Sequence, residues 1–374
     1  AVTAELSGGL GVALTTKGPG TANATNGVAY AALDRSAVLL ISDGFDADEK
    51  RYVTHQVFDQ QGLLGPVTKG AARLDGAGDL ANVQLLIDRA LTPPCGPVFV
   101  EATSAGLRAT SHGDTRVIAA PPQVVNGGAS IAEACSLLGA ARRPAIIAGL
   151  EARGAADAVR RLVGALGCPA LVTYKAKGVI ADSDPHYVGI FTGGAAESPC
   201  LERADLIVLC GVDPVEFIRK PWQYGAPVID VALAHHPIHY VDPAVGLYGN
   251  LPQHLARLAA VPVSTEWTRS EIDSLRQGIR DALRYVTRDG IGPQEVVELA
   301  AAAAAPDPAR AGDLDARIEA LEAEIASDED ALKNLLATPA PEDPAQIAYD
   351  LKFDGAPFLF SWPTSGNISF PFML

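Results

Sequence analysis

A glycine-rich turn between a predicted strand and a predicted helix is the first part of the chain that could do chemistry. Residues 12–16 are suited to a buried strand, and a helix of small residues is predicted over 21–33. Such a turn gathers backbone N–H groups at the positive end of the helix dipole, where a ligand can reach them. Gly18 and Gly20 permit backbone angles that are closed to other residues, and Pro19 stiffens the turn.

The glycine pair alone does not decide between a binding turn and a purely structural one, because Gly-x-Gly is a weak signal. No Gly-Lys-Ser/Thr follows the turn, which excludes a P-loop. The third glycine of a dinucleotide fingerprint is also missing. The interpretation therefore depends on the wider sequence around the turn.

The pattern around the turn extends over two blocks. The first block reads Thr16-x-Gly18-Pro19-Gly20-x-x-Asn23, followed by Gly27-x-Ala29, Asp34 and a predicted strand over 37–42. The second block contains His55-Gln56-x-x-Asp59-Gln60 and then GPVTKG over 65–70. Taken in this order, the blocks resemble the thiamine-diphosphate-dependent enzymes of the acetolactate synthase large-subunit type, in which the first block belongs to the pyrimidine-binding domain.

The resemblance implies an enzyme that decarboxylates a 2-oxo acid on thiamine diphosphate with Mg²⁺ and transfers the acyl-anion equivalent to a second carbonyl. It implies that the aminopyrimidine side of the site is lined by Gly18, Pro19, Gly20 and Asn23, with Gln56 facing the substrate as the catalytic residue. His55 is a weaker candidate, since a single histidine on a polar loop is more often solvated than a proton shuttle. Two alternatives stay open: a benzoylformate decarboxylase or aldehyde lyase of the same superfamily, and a non-catalytic FAD- or nucleotide-binding module.

A second series of elements follows a stretch rich in Ser, Thr, Gly and Pro over 103–128. We predict a helix over 131–140, a helix around 159–166, and strands over 144–149, 169–173, 205–211 and 227–230, the last of which closes the series. Ligands collect at the carboxyl ends of parallel strands, where we expect the cofactor-binding residues Gly149, Gly211 and Asp230. Asp230 could hold a ribose hydroxyl or cap the next element.

The order of Arg142-Arg143-Pro144, Lys177-Gly178 and the run over 204–211 resembles the central domain of the same enzymes. Some members of that family bind FAD there, so FAD is a possible cofactor. The predicted fold class is α/β, with two doubly wound parallel-sheet domains in tandem and an unrelated-looking helical and aromatic C-terminal tail. The predicted boundaries are 1–105 for a partial pyrimidine-binding domain, 106–128 for a linker, 129–262 for the central domain, 263–305 for a helical linker and 306–374 for the tail.

Two parts of a thiamine site are not expected within this chain. In the resembled family a glutamate activates the aminopyrimidine, and by analogy it would precede Ala1; Glu5 is in the wrong register. The family's diphosphate motif begins with Gly-Asp-Gly, which occurs nowhere in the sequence. The chain is therefore expected to be truncated, to hold no metal and to be inactive alone. It would work as a homodimer or with a partner chain that supplies the diphosphate domain, and its tail over 306–374 is best explained by frameshift, fusion or misassembly.

The net charge of −15 argues against nucleic acid or an anionic membrane as a partner, because both require basic patches. The five cysteines show no CxxC spacing and are expected to be reduced, as in a cytoplasmic protein. No run of about 18 apolar residues and no signal peptide are found in the sequence.

Overall fold

The chain is described by a computed structural model that covers residues 1–76, 79–109, 128–217, 221–237, 239–284, 292–303 and 323. These residues belong to two compact units, 1–284 and 285–374. The first unit contains both predicted sheets. Most of the predicted tail, 306–374, lies outside the described residues.

The first sheet has four parallel strands and lies within the first 103 residues. Its strands are β1 (Gly11–Thr15), β2 (Val38–Gly44), β3 (Ala71–Leu74) and β4 (Val98–Thr103), in the order β1-β2-β4-β3. Its helices are α1 (Val2–Ser7), α2 (Pro19–Leu33), α3 (Gln60–Leu64), α4 (Leu80–Leu91) and α5 (Ser104–Arg108). Helix α1 ends at Gly8, which takes the left-handed conformation with a φ of 66°.

Strand β1 lies at an edge of the first sheet and is not buried. Val12 is 56% exposed and Leu14 is 78% exposed. The prediction that residues 12–16 form a buried strand is therefore wrong in its burial, although the strand itself is present. The apolar residues of β1 look like those of a central strand, but β2 and β4 occupy the centre and carry the buried residues Leu40 and Phe99.

The second sheet has six parallel strands and a much larger core. Its strands are β5 (Pro144–Ala148), β6 (Ala170–Val172), β7 (Tyr187–Ile190), β8 (Leu206–Cys210), β9 (Val228–Ala232) and β10 (Val245–Tyr248), in the order β10-β9-β8-β5-β6-β7. Its helices are α6 (Gly128–Ala140), α7 (Ala156–Leu166), α8 (Ser198–Leu201), α9 (Leu251–Ala259) and α10 (Arg269–Leu283). Strands β5, β6, β8 and β9 are buried along their whole length, as expected of strands covered on both faces.

The two-sheet α/β architecture was predicted, but the second sheet continues beyond its predicted end. Strand β9 runs on to Ala232 and β10 follows it, so the prediction that the series closes at Asp230 is wrong. The helical linker predicted over 263–305 contains α10 and, in the second unit, α11 (Pro293–Ala303), whereas α9 lies in the region predicted as the central domain. No helix that the structure describes combines the length and the hydropathy that a membrane span requires. All five cysteines are unpaired, as predicted.

Candidate functional site

The turn after β1 places Gly18 directly against the backbone of Gln56. Gly18 is buried and caps the N-terminus of α2 with φ 64° and ψ −116°, a conformation that favours glycine. A Cβ at Gly18 would lie 2.7 Å from the carbonyl oxygen of Gln56 and 2.8 Å from its Cβ. Gln56 itself has a φ of 62°, which is uncommon for a residue with a side chain. The two sequence blocks therefore meet, and their contact requires the missing side chain of Gly18.

The second glycine of the turn is packed against threonine hydroxyls. A Cβ at Gly20 would overlap Thr16 Oγ1 and lie 2.5 Å from Thr15 Oγ1. The other predicted members of this site are at the surface of the same region: Pro19, Asn23, His55 and Gln56 are all exposed. The structure thus combines a tightly packed glycine turn with exposed groups that a ligand can contact.

Lys17 fixes the entry to the turn. Its Nζ lies 2.7 Å from Asp43 Oδ2 at the end of β2 and 4.2 Å from the centre of the Phe45 ring. An ion pair and a cation–π contact therefore hold the turn against the carboxyl end of β2. This edge of a parallel sheet is where ligands normally bind.

Gln60 is a site residue to which the sequence pattern assigned no role. Its side-chain Oε1 accepts hydrogen bonds from Gly18 N–H at 3.0 Å and from the Thr21 hydroxyl at 2.5 Å. Its Nε2 donates to the carbonyl oxygen of Asp43 at 3.2 Å. The available signal was its position in the block over 55–60, four residues after Gln56.

The lysine of the GPVTKG run has a structural role away from the turn. Lys69 Nζ donates to the carbonyl oxygens of Arg89, Thr92 and Pro94, at 2.5, 2.6 and 2.7 Å. It therefore ties down the end of α4 and the loop that leads to β4. Partial burial lowers the pKa of Lys69 below its usual value.

The glycines at the carboxyl ends of β5 and β8 accommodate the protein's own loops. A Cβ at Gly149 would overlap Val212 Cα and lie 2.6 Å from the carbonyl oxygen of Gly211. Gly211 has a φ of 64°, and a Cβ there would lie 2.5 Å from the backbone nitrogen of Ala152. Both predicted residues therefore lie where expected, at adjacent strand ends, but close backbone packing explains the need for glycine.

Glu216 binds the loops after three strands together and was not predicted. Its Oε2 accepts from Leu150 N–H at 2.8 Å and from Asp213 N–H at 3.2 Å, and its Oε1 accepts from the Thr173 hydroxyl at 2.5 Å. Burial raises the pKa of Glu216, although these hydrogen bonds act in the opposite direction. An isolated glutamate in a Pro-rich loop gives no sequence signal for such a role.

Asp230 lies within β9, which continues to Ala232, so the prediction that it lies at the carboxyl end of its strand is wrong. It is 1% exposed, and it is paired in register with Leu209 and Gly246. Burial, together with the nearby charge of Glu151, raises the pKa of Asp230 to about 7, and the Tyr248 hydroxyl hydrogen-bonds its carboxyl group. The hydrophobic run before Asp230 was taken as the whole strand, because an acidic residue is uncommon inside a buried strand.

An arginine from the first sheet reaches the strand ends of the second. Arg35, just after α2, donates through Nε to Asp213 Oδ2 at 2.7 Å and through its second nitrogen to Oδ1 at 2.9 Å. Asp213 is fully buried. Burial alone would raise the pKa of Asp213, but the hydrogen bonds from Arg35 and Val215 outweigh it and the pKa lies below its usual value.

Asp213 also belongs to a group that could be mistaken for a metal site. Glu151, Asp213 and His236 carry side chains of types that can bind a metal ion. Their possible ligand atoms all lie within 4.8 Å of one another, and they form the one such group in the described parts of the chain. Both Asp213 oxygens already accept from Arg35, and Glu151 Oε2 accepts from Leu233 N–H at 2.6 Å. Because Arg35 already occupies both carboxylate oxygens of Asp213, the geometry fits a buried ion network and does not fit a cation.

Two further ion pairs connect the helices of the first sheet to loops of the second sheet. Lys175, after β6, lies 2.8 Å from Asp34 Oδ2, and Arg153, after β5, lies 2.6 Å from Glu5 Oε1. Glu5 is thus engaged at the contact between the two sheets.

Comparison with known proteins identifies a domain in each of the two sheet regions. Residues 1–63 match the thiamine pyrophosphate enzyme N-terminal TPP binding domain, and residues 131–258 match the thiamine pyrophosphate enzyme central domain. The acetolactate synthase of Bacillus subtilis is 25% identical over 282 residues, which are 71% of this chain and 49% of that protein. The catabolic acetolactate synthase of Raoultella terrigena is 29% identical over 69% of this chain and 48% of its own. Human 2-hydroxyacyl-CoA lyase 1 is 26% identical over 69% and 46%.

Solved structures show the same fold. A thiamin diphosphate-dependent enzyme from Mycobacterium smegmatis superposes with a TM-score of 0.62 at 19% identity and covers 70% of this chain and 53% of its own. The 4-hydroxybenzoylformate decarboxylase of Rhodococcus jostii RHA1 gives 0.61 at 20% identity, over 71% and 53%. The chain spans about half the length of the relatives that it matches. It belongs to the thiamine pyrophosphate enzyme family, of which it carries the N-terminal thiamine-binding and the central domain.

Proposed function

We propose that this chain provides the pyrimidine-facing half of a thiamine-diphosphate site in an enzyme of the acetolactate synthase type. The reaction would be decarboxylation of a 2-oxo acid followed by carboligation to a second carbonyl. The observation that carries the proposal is the contact of Gly18 with Gln56 at the carboxyl edge of the first sheet, where a Cβ would lie 2.7 Å from the Gln56 carbonyl oxygen. This contact joins the two blocks on which the family resemblance rests.

The residues at the turn fit the aminopyrimidine half of the cofactor. The exposed Pro19 and Asn23 flank the two glycines and offer an apolar ring face and an amide. The exposed amide of Gln56 can donate to a carbonyl or carboxylate oxygen of a bound 2-oxo acid and so orient it. Thiamine diphosphate, when bound, supplies the carbon nucleophile that attacks the substrate carbonyl.

The described residues do not fit the diphosphate and Mg²⁺ half. Oxygen ligands for Mg²⁺ would be needed near the turn. Asp43, the carboxylate at this end of β2, is already paired with Lys17 at 2.7 Å. We therefore assign the metal and the diphosphate to a separate domain that a partner chain supplies. A homodimer and a cytoplasmic location remain parts of the proposal.

A lyase or decarboxylase activity is the second candidate, because the relatives include a 2-hydroxyacyl-CoA lyase. FAD binding by the central domain stays a prediction with less support. At the strand ends where it would bind, Glu216 accepts hydrogen bonds from Leu150, Asp213 and Thr173. The side chain of Arg35, which follows α2, also reaches these strand ends and binds Asp213.

Hydrogen exchange with added ligand tests the proposal on the full chain. Thiamine diphosphate with Mg²⁺ should slow amide exchange at residues 17–23 and 55–60, and FAD should not. Gly20→Val should abolish that protection, since its side chain would project where Thr15 and Thr16 already pack. Protection by FAD around 149–152 and 211–216, with no response of 17–23 to thiamine diphosphate, would instead favour the nucleotide-binding module.

A further inference from the structure

The side chain of Gln60 connects three segments that surround the turn. Gln60 is the first residue of α3 and is 4% exposed. Its Oε1 accepts from Gly18 N–H and from the Thr21 hydroxyl, and its Nε2 donates to the Asp43 carbonyl oxygen. One amide group thus joins the turn after β1, the first turn of α2 and the end of β2.

The turn needs such a partner because the N–H group of Gly18 is not part of a regular ladder. Gly18 is buried at the N-cap of α2, with φ 64° and ψ −116°. A buried backbone N–H without an acceptor is costly, and the Gln60 carbonyl group supplies that acceptor at 3.0 Å. Thr21 is fully buried as well, and its hydroxyl uses the second lone pair of the same oxygen.

The same contact governs the position of Gln56. The backbone of Gln56 packs on Gly18, 2.7 Å from the place of a Cβ, and α3 begins only four residues later. Anchoring the first residue of α3 to Gly18 therefore holds the loop over 56–59 against the turn. Asp59 caps the N-terminus of α3, because its side chain accepts a hydrogen bond from Gly62 N–H at 2.9 Å. This cap fixes the start of α3 and therefore the position of Gln60.

We propose that Gln60 is a positioning residue of the thiamine site, which holds the Gly18–Pro19–Gly20 turn and Gln56 as one preformed unit. The proposal rests on the proposed function for its link to thiamine, but the positioning itself concerns only this chain's residues. Preformed geometry lowers the entropy that a ligand must remove on binding. A loosened turn would therefore bind more weakly without losing any group that touches the ligand.

Glutamine suits this position because it accepts at one end and donates at the other. A glutamate would keep the acceptor for Gly18, but its ionised second oxygen would face the Asp43 carbonyl oxygen, which offers no proton. A leucine of similar size would remove both functions. Gln61, the next residue of α3, is only half-buried, and Gln61→Leu therefore serves as a matched control.

The chain offers a selective probe of Gly18. Its sequence contains three Lys-Gly pairs, at Gly18, Gly70 and Gly178, so ¹³C′-lysine and ¹⁵N-glycine labelling isolates three amide signals in NMR. In Gln60→Leu we expect the Gly18 signal to shift and to exchange about tenfold faster, as expected from the loss of one hydrogen bond. Gly70 and Gly178 should not change, and Gln61→Leu should leave all three signals as in the wild type.

Gln60→Glu adds a readout that a purely structural role would not move. Its Gly18 protection factor should rise as the pH is lowered through the titration of the new carboxyl group, because the protonated form donates again to Asp43. Unchanged Gly18 exchange in Gln60→Leu would overturn the proposal. Equal acceleration of all three glycines would also overturn it, since that pattern reports global destabilisation.

Titration of the same labelled proteins with thiamine diphosphate and Mg²⁺ separates the two claims. In one outcome the wild type responds to thiamine diphosphate, while Gln60→Leu shows both faster exchange at Gly18 and a weaker response. That result supports both the proposed function and the positioning role of Gln60. A variant that binds as tightly as the wild type would refute the role in the site. A wild type that does not respond would refute the proposed function, while the effect of Gln60 on the Gly18 signal would still be measured.

Discussion

Gly18 and Gly20 restrict the turn after β1 for different physical reasons, which a small series of variants can separate. Gly18→Ala should cost about 2–3 kcal/mol, because it strains a positive φ and meets the rigid backbone of Gln56. Gly20→Val meets the hydroxyls of Thr15 and Thr16, which can rotate, so it should cost only about 1 kcal/mol. Urea unfolding of each variant measures these differences.

Gly27→Ala is the matched control for this series. Gly27 lies within α2 and a Cβ there would meet nothing within 4 Å. An alanine in the interior of a helix should stabilise the chain by about 0.5–1 kcal/mol. If Gly18→Ala were as stable as Gly27→Ala, the turn would be free to relax and would not be preformed.

Asp230 makes the stability of the chain depend on pH. The pKa of its buried carboxyl is raised to about 7, mainly by burial and then by Glu151. An unfolded aspartate has a pKa of about 3.9, so between these values the folded chain holds a proton that the unfolded chain has released. Stability should therefore fall as the pH rises from about 4 to about 7.

Asp230→Asn should remove that part of the slope, since an amide does not ionise. The gain relative to the wild type should grow between about pH 4 and about pH 7, and above that range it should be complete at no more than about 4 kcal/mol. Urea unfolding at about pH 5 and about pH 8 measures it. Asp242→Asn, which removes an exposed carboxylate, should leave the pH dependence as it was. A slope that persists in Asp230→Asn would assign the titration to other groups.

Among individual residues, glycines were predictable from sequence and polar residues were not. Gly18 and Gly20 appear in a strand–turn–helix pattern whose geometry requires glycine. Gln60 and Glu216 serve loops that are distant in sequence, and no local period marks such hydrogen bonds. The position of Asp230 was predicted wrongly because an acidic residue normally ends a buried strand, whereas Asp230 lies inside β9, where burial raises the pKa of its carboxyl group.

At the level of elements, one ion pair joins α2 to the loop after β8. Arg35→Ala would leave Asp213 buried without its cation, and we expect a loss of about 2–4 kcal/mol. Arg161→Ala, on the exposed side of α7, should stay within about 0.5 kcal/mol of the wild type. Thermal or urea unfolding at neutral pH compares the two.

The pair has a second signature at acid pH. Because the pKa of Asp213 is lowered in the folded chain, its contribution is present above the unfolded value of about 3.9 and is lost as the pH falls through the folded pKa. The difference between wild type and Arg35→Ala should therefore shrink below about pH 4. A constant difference across that range would attribute the effect to packing of the arginine side chain.

Most elements with a clear apolar pattern were predictable, and three four-residue strands were missed. Apolar runs predicted β2, β5 and β8, and the patterns over 21–33 and 159–166 predicted α2 and α7. Strands β3, β7 and β10 each have four residues, and β7 and β10 include a glycine, so their sequence signal is weak. Whether a strand is central or at an edge depends on strand order, which explains why the burial of β1 was predicted wrongly.

At the scale of the whole molecule, the two sheets differ greatly in core size. The first sheet has two small buried clusters, one around Leu39 and Val100 and another around Leu40 and Phe99. The second has one continuous core that extends from α6 to α10. The first sheet, which carries the turn, is therefore expected to be the less stable part, and its ion pairs to the second sheet contribute to its order.

The open side of β1 bears on the colloidal behaviour of the protein. In the described part of the chain β1 pairs with β2, which leaves its other side free for strand addition. An antiparallel match centred on Ala13 would set Val12 of one molecule opposite Leu14 of another, so two copies can share a sheet despite a net charge of −15.

Val12→Lys should therefore lower the self-association that sedimentation velocity detects at high concentration, whereas Leu85→Lys, an equal change of an exposed leucine on α4, should not. If both variants reduced it equally, general hydrophobic attraction would be the cause. If only the change on β1 reduced self-association, the edge strand β1 would set the concentration at which this chain begins to associate.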